Sequence, residues 1–82
     1  MFYIYVLRSL RNGRLYTGST NDIQRRLHEH NTGKSKYTKS TMPFELIYQE
    51  EYGTKSEAYR RELFLKTGRG REFLKEVLHL RA

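Results

Sequence analysis

The stretch FYIYVLRSLRNGRLYTG, residues 2–18, decides how the rest of the chain must be arranged. Two apolar, tyrosine-bearing runs flank Asn12-Gly13. Asn-Gly between two such runs is the strongest short-range hairpin signal and predicts a two-residue type I′ turn. Residues 2–8 read as a strand, with Tyr3, Tyr5 and Leu7 on one face and Phe2, Ile4 and Val6 on the other. Both faces are apolar, so this strand is expected to be central. The turn would pair Arg11 with Arg14, Leu10 with Leu15 and Ser9 with Tyr16. Directly paired residues share a face, which puts Tyr16 beside Leu7, Tyr5 and Tyr3. The hairpin gathers its tyrosines on one side.

Outward from the hairpin, STNDIQRRLHEHNTG (residues 19–33) predicts a short helix capped by Thr20 or Asn21 and ended by Asn31 to Gly33. Ile23, Leu27 and His30 form its inward stripe, and Arg26 borders that stripe. The next segment, NTGKSKYTKSTMP, reads as polar, basic and flexible, with Lys34, Lys36, Tyr37 and Lys39. Pro43 then introduces a third strand, FELIYQEEY, with Leu46 and Tyr48 expected on one face. TKSEAYRRELFLKT is a second helix with Thr54 or Ser56 as cap. GRGREFLKEVLHL is a last, short amphipathic helix using Phe73, Leu74, Val77 and Leu78. The order β-β-α-β-α-α predicts an α+β fold, a small three-stranded antiparallel sheet flanked by helices, with residues 1–82 forming one domain.

Composition narrows the function. The 82 residues include no cysteine, so neither disulfides nor a thiolate metal site would hold the core. The longest apolar run, YIYVL, is far too short to cross a bilayer. A soluble, cytoplasmic protein is expected. The net charge is +7 and its distribution is lopsided. Residues 1–44 carry eight Lys/Arg against Asp22 and Glu29, whereas residues 45–82 carry eight against seven acids. A one-sided positive surface on a small domain points to a polyanion, most often nucleic acid. Arg8, Arg11, Arg14, Lys34, Lys36 and Lys39 are the candidate nucleic-acid contacts.

In the second helix, Ala58, Glu62 and Leu65 share one stripe, flanked by Tyr59 and Leu63. A carboxylate facing the body of the protein needs a partner. That partner is either Lys66, one turn on, or a hard cation such as Mg²⁺, which takes few protein ligands and keeps its waters. Glu57 with Arg61 is expected to form an ordinary surface pair. Taken singly, His30 reads as a half-buried structural histidine, Arg26 as a surface cation, and Tyr5 and Tyr16 as sheet residues. Together with Glu62 they supply a base for water, a cation for developing charge and a metal ligand for the leaving oxygen, the parts needed to cleave a phosphodiester.

These residues resemble the GIY-YIG nuclease superfamily, in particular its small bacterial members. Tyr3-Ile4-Tyr5 stands for the first triplet and Tyr16-Thr17-Gly18 for the second. Arg26-Leu27-His28-Glu29-His30 matches the Arg-x-x-x-His helix, and Ala58 through Lys66 matches the helix bearing the metal-binding glutamate. Tyr3 departs from the first glycine of the motif, Thr17 from its isoleucine, and no asparagine follows Leu74. The resemblance implies one-metal hydrolysis of DNA with Mg²⁺ or Mn²⁺. Tyr5 would be the general base helped by His30, Tyr16 would orient the phosphate, Arg26 would stabilise its charge, and Glu62 would hold the ion. RNA stays open as a substrate. Little intrinsic sequence choice is expected, with a partner protein as one source of specificity and DNA repair or recombination as a setting. The alternative is a non-catalytic nucleic-acid-binding module that keeps the fold.

Overall fold

The computed structural model describes residues 1–34, 36 and 38–81, so Tyr37 of the basic segment lies outside the described residues. Strands β1 (Phe2–Ser9) and β2 (Leu15–Thr20) are followed by helix α1 (Ile23–Asn31) and strand β3 (Phe44–Tyr52). Helices α2 (Lys55–Leu65) and α3 (Gly68–Arg81) complete the order. The sheet is antiparallel with order β2-β1-β3, so the strand that is apolar on both faces is central, as its composition requires. One face buries Tyr5, Leu7, Ile23 and Phe44 under α1. The other buries Ile4, Val6, Ala58, Leu65 and Leu74 under α2 and α3.

The hairpin departs from the predicted register by two residues. Leu7, not Ser9, lies opposite Tyr16, and Tyr5 lies opposite Gly18. A type I′ turn needs positive φ at both central residues, and here only Gly13 adopts it, at φ 76°. The reason is Ser9. Its Oγ accepts the backbone N–H groups of Arg11 and Asn12 at 3.1 and 3.2 Å, while the Gly13 N–H closes back on the Ser9 carbonyl at 2.9 Å. Those bonds satisfy a longer loop over residues 10–14 that the tight turn would have left partly as ladder. A slip of two preserves the face of every side chain, so Tyr16 still joins Tyr3, Tyr5 and Leu7.

A second departure is a β-bulge in β3. Val6 pairs with Tyr48 but Leu7 with Leu46, leaving Ile47 as the extra residue. Leu46 therefore packs on the α1 side and Tyr48 on the α2/α3 side, rather than together as the simple alternation predicts. The caps are Asp22 for α1, whose side chain accepts the Arg25 N–H, and Thr54 for α2, whose hydroxyl accepts the Glu57 N–H. Arg61 is not paired with Glu57. It forks onto Glu50 of β3 at 2.8 and 3.2 Å, and Glu50 also accepts the hydroxyls of Tyr48 and Tyr52. The final helix covers the expected stretch and runs one residue further, 14 residues in all, and it crosses α2 so closely that a Cβ on Gly70 would fall on the Phe64 carbonyl and Leu65 Cα.

The basic segment after α1 is tied down at its far end. Thr38 is buried, Ser9 Oγ donates to the Thr41 carbonyl at 2.6 Å, and the Leu10 N–H donates to Pro43 at 2.9 Å. Asn31 at the end of α1 exchanges two hydrogen bonds with the backbone of Phe44. These contacts bring residues 38–43 against α1 and the start of β1's loop, closing one side of the site.

Candidate active site

Strand β2 is an edge strand, and alternation along it sends Tyr16 and Gly18 toward α1 but Thr17 and Ser19 toward α2. The two faces of the sheet meet chemically at this edge. Tyr5, on the central strand, lies across from Gly18, and a Cβ on Gly18 would fall on the Tyr5 hydroxyl. Glycine is needed here for close approach, since it leaves room for the phenol to run over the edge strand.

Helix α1 supplies the partners. Its inward stripe is as predicted, with Ile23 and His30 buried. His30 is fully buried, and its Nε2 lies 3.2 Å from the Tyr5 hydroxyl. Its Nδ1 lies 2.7 Å from Thr38 Oγ1. The Tyr16 ring meets the imidazole edge-on, with centroids 4.8 Å apart, and Phe44 lies 6.0 Å away. Arg26, one turn before His30, bridges to Glu29 at 3.0 Å and lies close enough to Tyr5 to act on its ionisation.

Electrostatics set the resting protonation. Burial pushes the Tyr5 phenol up to about 12, and the Arg26 guanidinium only partly counters this. The free site therefore holds a neutral phenol. Burial, with Arg26 adding to it, lowers His30 below its ordinary value, so the imidazole is neutral and one nitrogen can accept a proton. Burial acts against the charge on Arg26, but hydrogen bonding to Glu29 and Tyr5 outweighs it and keeps the guanidinium ionised.

Glu62 arrives from the opposite face. Its side chain is 12% exposed, accepts from Ser19 Oγ at 2.6 Å and pairs with Lys66 Nζ at 2.7 Å. Of the two partners foreseen for it, the lysine is engaged, and the carboxylate keeps a small opening toward solvent. Among the described residues no cluster of three His, Asp, Glu or Cys side chains exists. A single carboxylate fits an ion of the Mg²⁺ type, which binds through one or two carboxylates and substrate phosphate oxygens.

The five candidate residues Tyr5, Tyr16, Arg26, His30 and Glu62 surround the β2 edge. Tyr5, Tyr16 and His30 form one contact group, Arg26 acts on Tyr5, and Glu62 reaches the edge through Ser19. The six candidate basic residues are less uniform. Arg8 is bound to Glu45, its Nε at 2.8 Å, and Arg11 donates to the Ser40 carbonyl at 3.5 Å. Lys34, Lys36 and Lys39 are exposed in the segment around Thr38. Arg14 is exposed and lines a cleft with Tyr16. Sequence reasoning missed Ser19 and Thr38. Ser19 was accessible to it, because strand parity places the residue after Gly18 toward the glutamate helix. Thr38 carries no periodic signal.

A family model described as the GIY-YIG catalytic domain matches residues 1–74. The chain is 48% identical over 66 residues to a UPF0213 protein of Staphylococcus saprophyticus, covering 79% of each. It is 45% identical over 76 residues to a UPF0213 protein of Staphylococcus epidermidis, covering 92% of each. Among solved structures, the solution structure of a UPF0213 protein from Bacillus halodurans is 37% identical, with a TM-score of 0.55 over 94% of this chain and 85% of that one. No helix of the described residues is long and apolar enough to cross a membrane. With both tyrosine triplets on adjacent strands, Arg26 and His30 on α1 and Glu62 on α2, the chain belongs to the GIY-YIG nuclease family, alongside the small bacterial UPF0213 proteins.

Proposed function

We propose that this protein is a metal-dependent endonuclease that hydrolyses phosphodiester bonds in DNA with little sequence choice, in repair or recombination. The observation that carries the reading is the chain of contacts from Tyr5 through His30 to Thr38. A buried phenol near 12 is a poor free base at neutral pH. It becomes a useful one if its own proton has somewhere to go. With Nδ1–H donated to Thr38 Oγ1, His30 Nε2 accepts the Tyr5 O–H, and Tyr5 can take a proton from water as it passes its own to His30. The water oxygen then bonds to phosphorus and the bond to the 3′ oxygen breaks. Tyr16 orients the phosphate, and Arg26 donates to the oxygens on which charge builds. Mg²⁺ or Mn²⁺, held by Glu62, would supply positive charge for the departing oxygen. Arg11, Arg14, Lys34, Lys36 and Lys39 hold the nucleic-acid backbone, with Arg8 contributing where Glu45 releases it. The same chemistry extends to RNA. A partner protein is the proposed source of any target choice.

One observation favours a second reading, a non-catalytic nucleic-acid-binding module. Glu62 already has a lysine and a serine as partners, so its burial does not demand a metal. Plasmid nicking against Mg²⁺ or Mn²⁺ concentration separates the two. Glu62→Gln should abolish metal-dependent nicking while binding without metal is kept. Glu57→Gln, on the exposed side of the same helix, preserves the cap with Thr54 and should behave as the parent. Equal nicking by the two variants, or none by the parent on any duplex, branch, flap or single strand, establishes the binding module instead.

A further inference from the structure

Two clefts lie end to end along the β2 edge, with the Ser19–Glu62 contact between them. The first, about 450 Å³, takes Ser19 and Thr20 from β2, Arg25 and Arg26 from α1, and Lys55 from the start of α2. The second, about 660 Å³, takes Arg14 through Thr17 from the hairpin, Lys66 from the end of α2, and Arg71 and Lys75 from α3. The helical period places Lys55, Glu62 and Lys66 on one side of α2, and Arg71 with Lys75 on one side of α3. The α2 stripe thus runs from one cleft past Glu62 into the other.

The second cleft is lined by four cations and no carboxylate. Lys66 is held by Glu62, but Arg14, Arg71 and Lys75 have no acidic side chain within ion-pair distance among the described residues. Between these cations the lining is apolar, with Leu15, Leu65 and Leu74 beside Tyr16. Long basic side chains lying over such a floor keep their stems on apolar surface and their charges toward the groove. Three exposed cations gathered along one groove, without carboxylates among its lining, give a positive potential that favours a polyanion there.

We infer that the groove between the β2 edge and α3 is a nucleic-acid backbone site, in which Arg14, Arg71 and Lys75 grip phosphates on one side of the bond to be cut. This inference rests on the nuclease reading for what lies at its centre, but the grip itself needs only binding. It assigns a substrate-holding role to α3, outside the six basic positions of the sequence reading. Phosphodiester is the chemistry recognised, because the cations are spaced along a groove leading to Tyr16 rather than bunched on a convex surface.

The test measures binding of a labelled DNA duplex and its single strand to the parent in EDTA, across a salt series. Each phosphate contact contributes about 0.9 to the slope of log affinity against log salt on duplex and about 0.7 on single strand. Arg71→Gln with Lys75→Gln should flatten the slope by about 1.8 on duplex and 1.4 on single strand, and Arg14→Gln by one further contact. Arg60→Gln with Arg69→Gln removes two exposed cations from the opposite sides of the same helices and should leave the slope unchanged. An unchanged slope in the first double variant, an equal loss in the second, or displacement of the oligonucleotide by polyglutamate at equal charge overturns the inference. The nuclease reading is judged separately by adding Mn²⁺. Parent that binds with these slopes but never cuts supports the groove and defeats the nuclease. Parent that cuts with its slope insensitive to Arg71 and Lys75 does the reverse.

Discussion

Replacing Tyr5 by Phe removes one oxygen from the centre of the site and nothing else. The hydroxyl lies 3.2 Å from His30 Nε2, and His30 is fully buried. The lost bond is worth about 0.5–1.5 kcal/mol, and the stranded nitrogen costs about 1–3 kcal/mol of desolvation. Burying a phenyl ring in place of a phenol recovers part of this, so a net loss of about 1–2 kcal/mol is expected. In a domain of this size each kcal/mol lowers Tm by about 4–8 °C. Circular dichroism melts should therefore show a drop of about 4–16 °C. Single-turnover cleavage of a labelled oligonucleotide, run well below that Tm, should fall by about 10²–10⁴, with affinity retained. The pH profile of the parent distinguishes how Tyr5 works. A phenolate formed in advance from a group near 12 would make the rate climb tenfold per pH unit across neutrality. A proton passed on to neutral His30 makes it level through neutrality, with activity lost only on the acid side of the ordinary histidine range, because burial lowers the pH at which the imidazole charges. The level profile is expected. Cleavage by Tyr5→Phe within fivefold of the parent would refute the relay, and so would a steady tenfold climb from pH 7 to 9.

Lys66→Met frees Glu62 from its lysine; at about 0.3–0.5 kcal/mol for such a half-exposed pair, half-maximal nicking should need about twofold less divalent ion at saturating substrate. An unchanged metal titration shows that the two cations do not compete. Gly18→Ala places a Cβ on the Tyr5 hydroxyl and should cost about 1–3 kcal/mol together with cleavage, whereas Gly70→Ala strikes only the α2 backbone and should lower Tm while folded protein still cuts. Equal residual activity of the two in the cold contradicts that distinction. His30, lowered by burial, takes up its proton less readily when folded than when unfolded. Stability should therefore fall as pH drops below about 6.5, by up to about 1.4 kcal/mol per unit, and level off below the folded-state value. Urea melts at pH 7.5, 6.5 and 5.5 check this, and a His30→Gln variant that keeps the same slope places its origin elsewhere.

Periodicity in the chain was enough to establish that β1 is central, that the hairpin tyrosines share one face, and that His30 and Glu62 point inward, because burial of apolar stripes admits few alternatives. The order of elements followed for the same reason. That α1 covers the tyrosine face came from the tertiary structure. Strand parity even survived an error: the hairpin slipped by two residues, and a slip of two returns every side chain to its own face. What depended on bonds between distant segments was not legible. The Ser9 hydroxyl that lengthens the loop, the bulge at Ile47 that separates Leu46 from Tyr48, and the choice of Glu50 over Glu57 by Arg61 all depend on tertiary neighbours. So does the pairing of His30 with Thr38, residues joined by a segment without any repeat. The residue types of the site belong to the sequence. How readily they ionise belongs to the fold, since burial raises Tyr5 and lowers His30 from their ordinary values, holding the phenol protonated and keeping the imidazole a proton acceptor to lower pH.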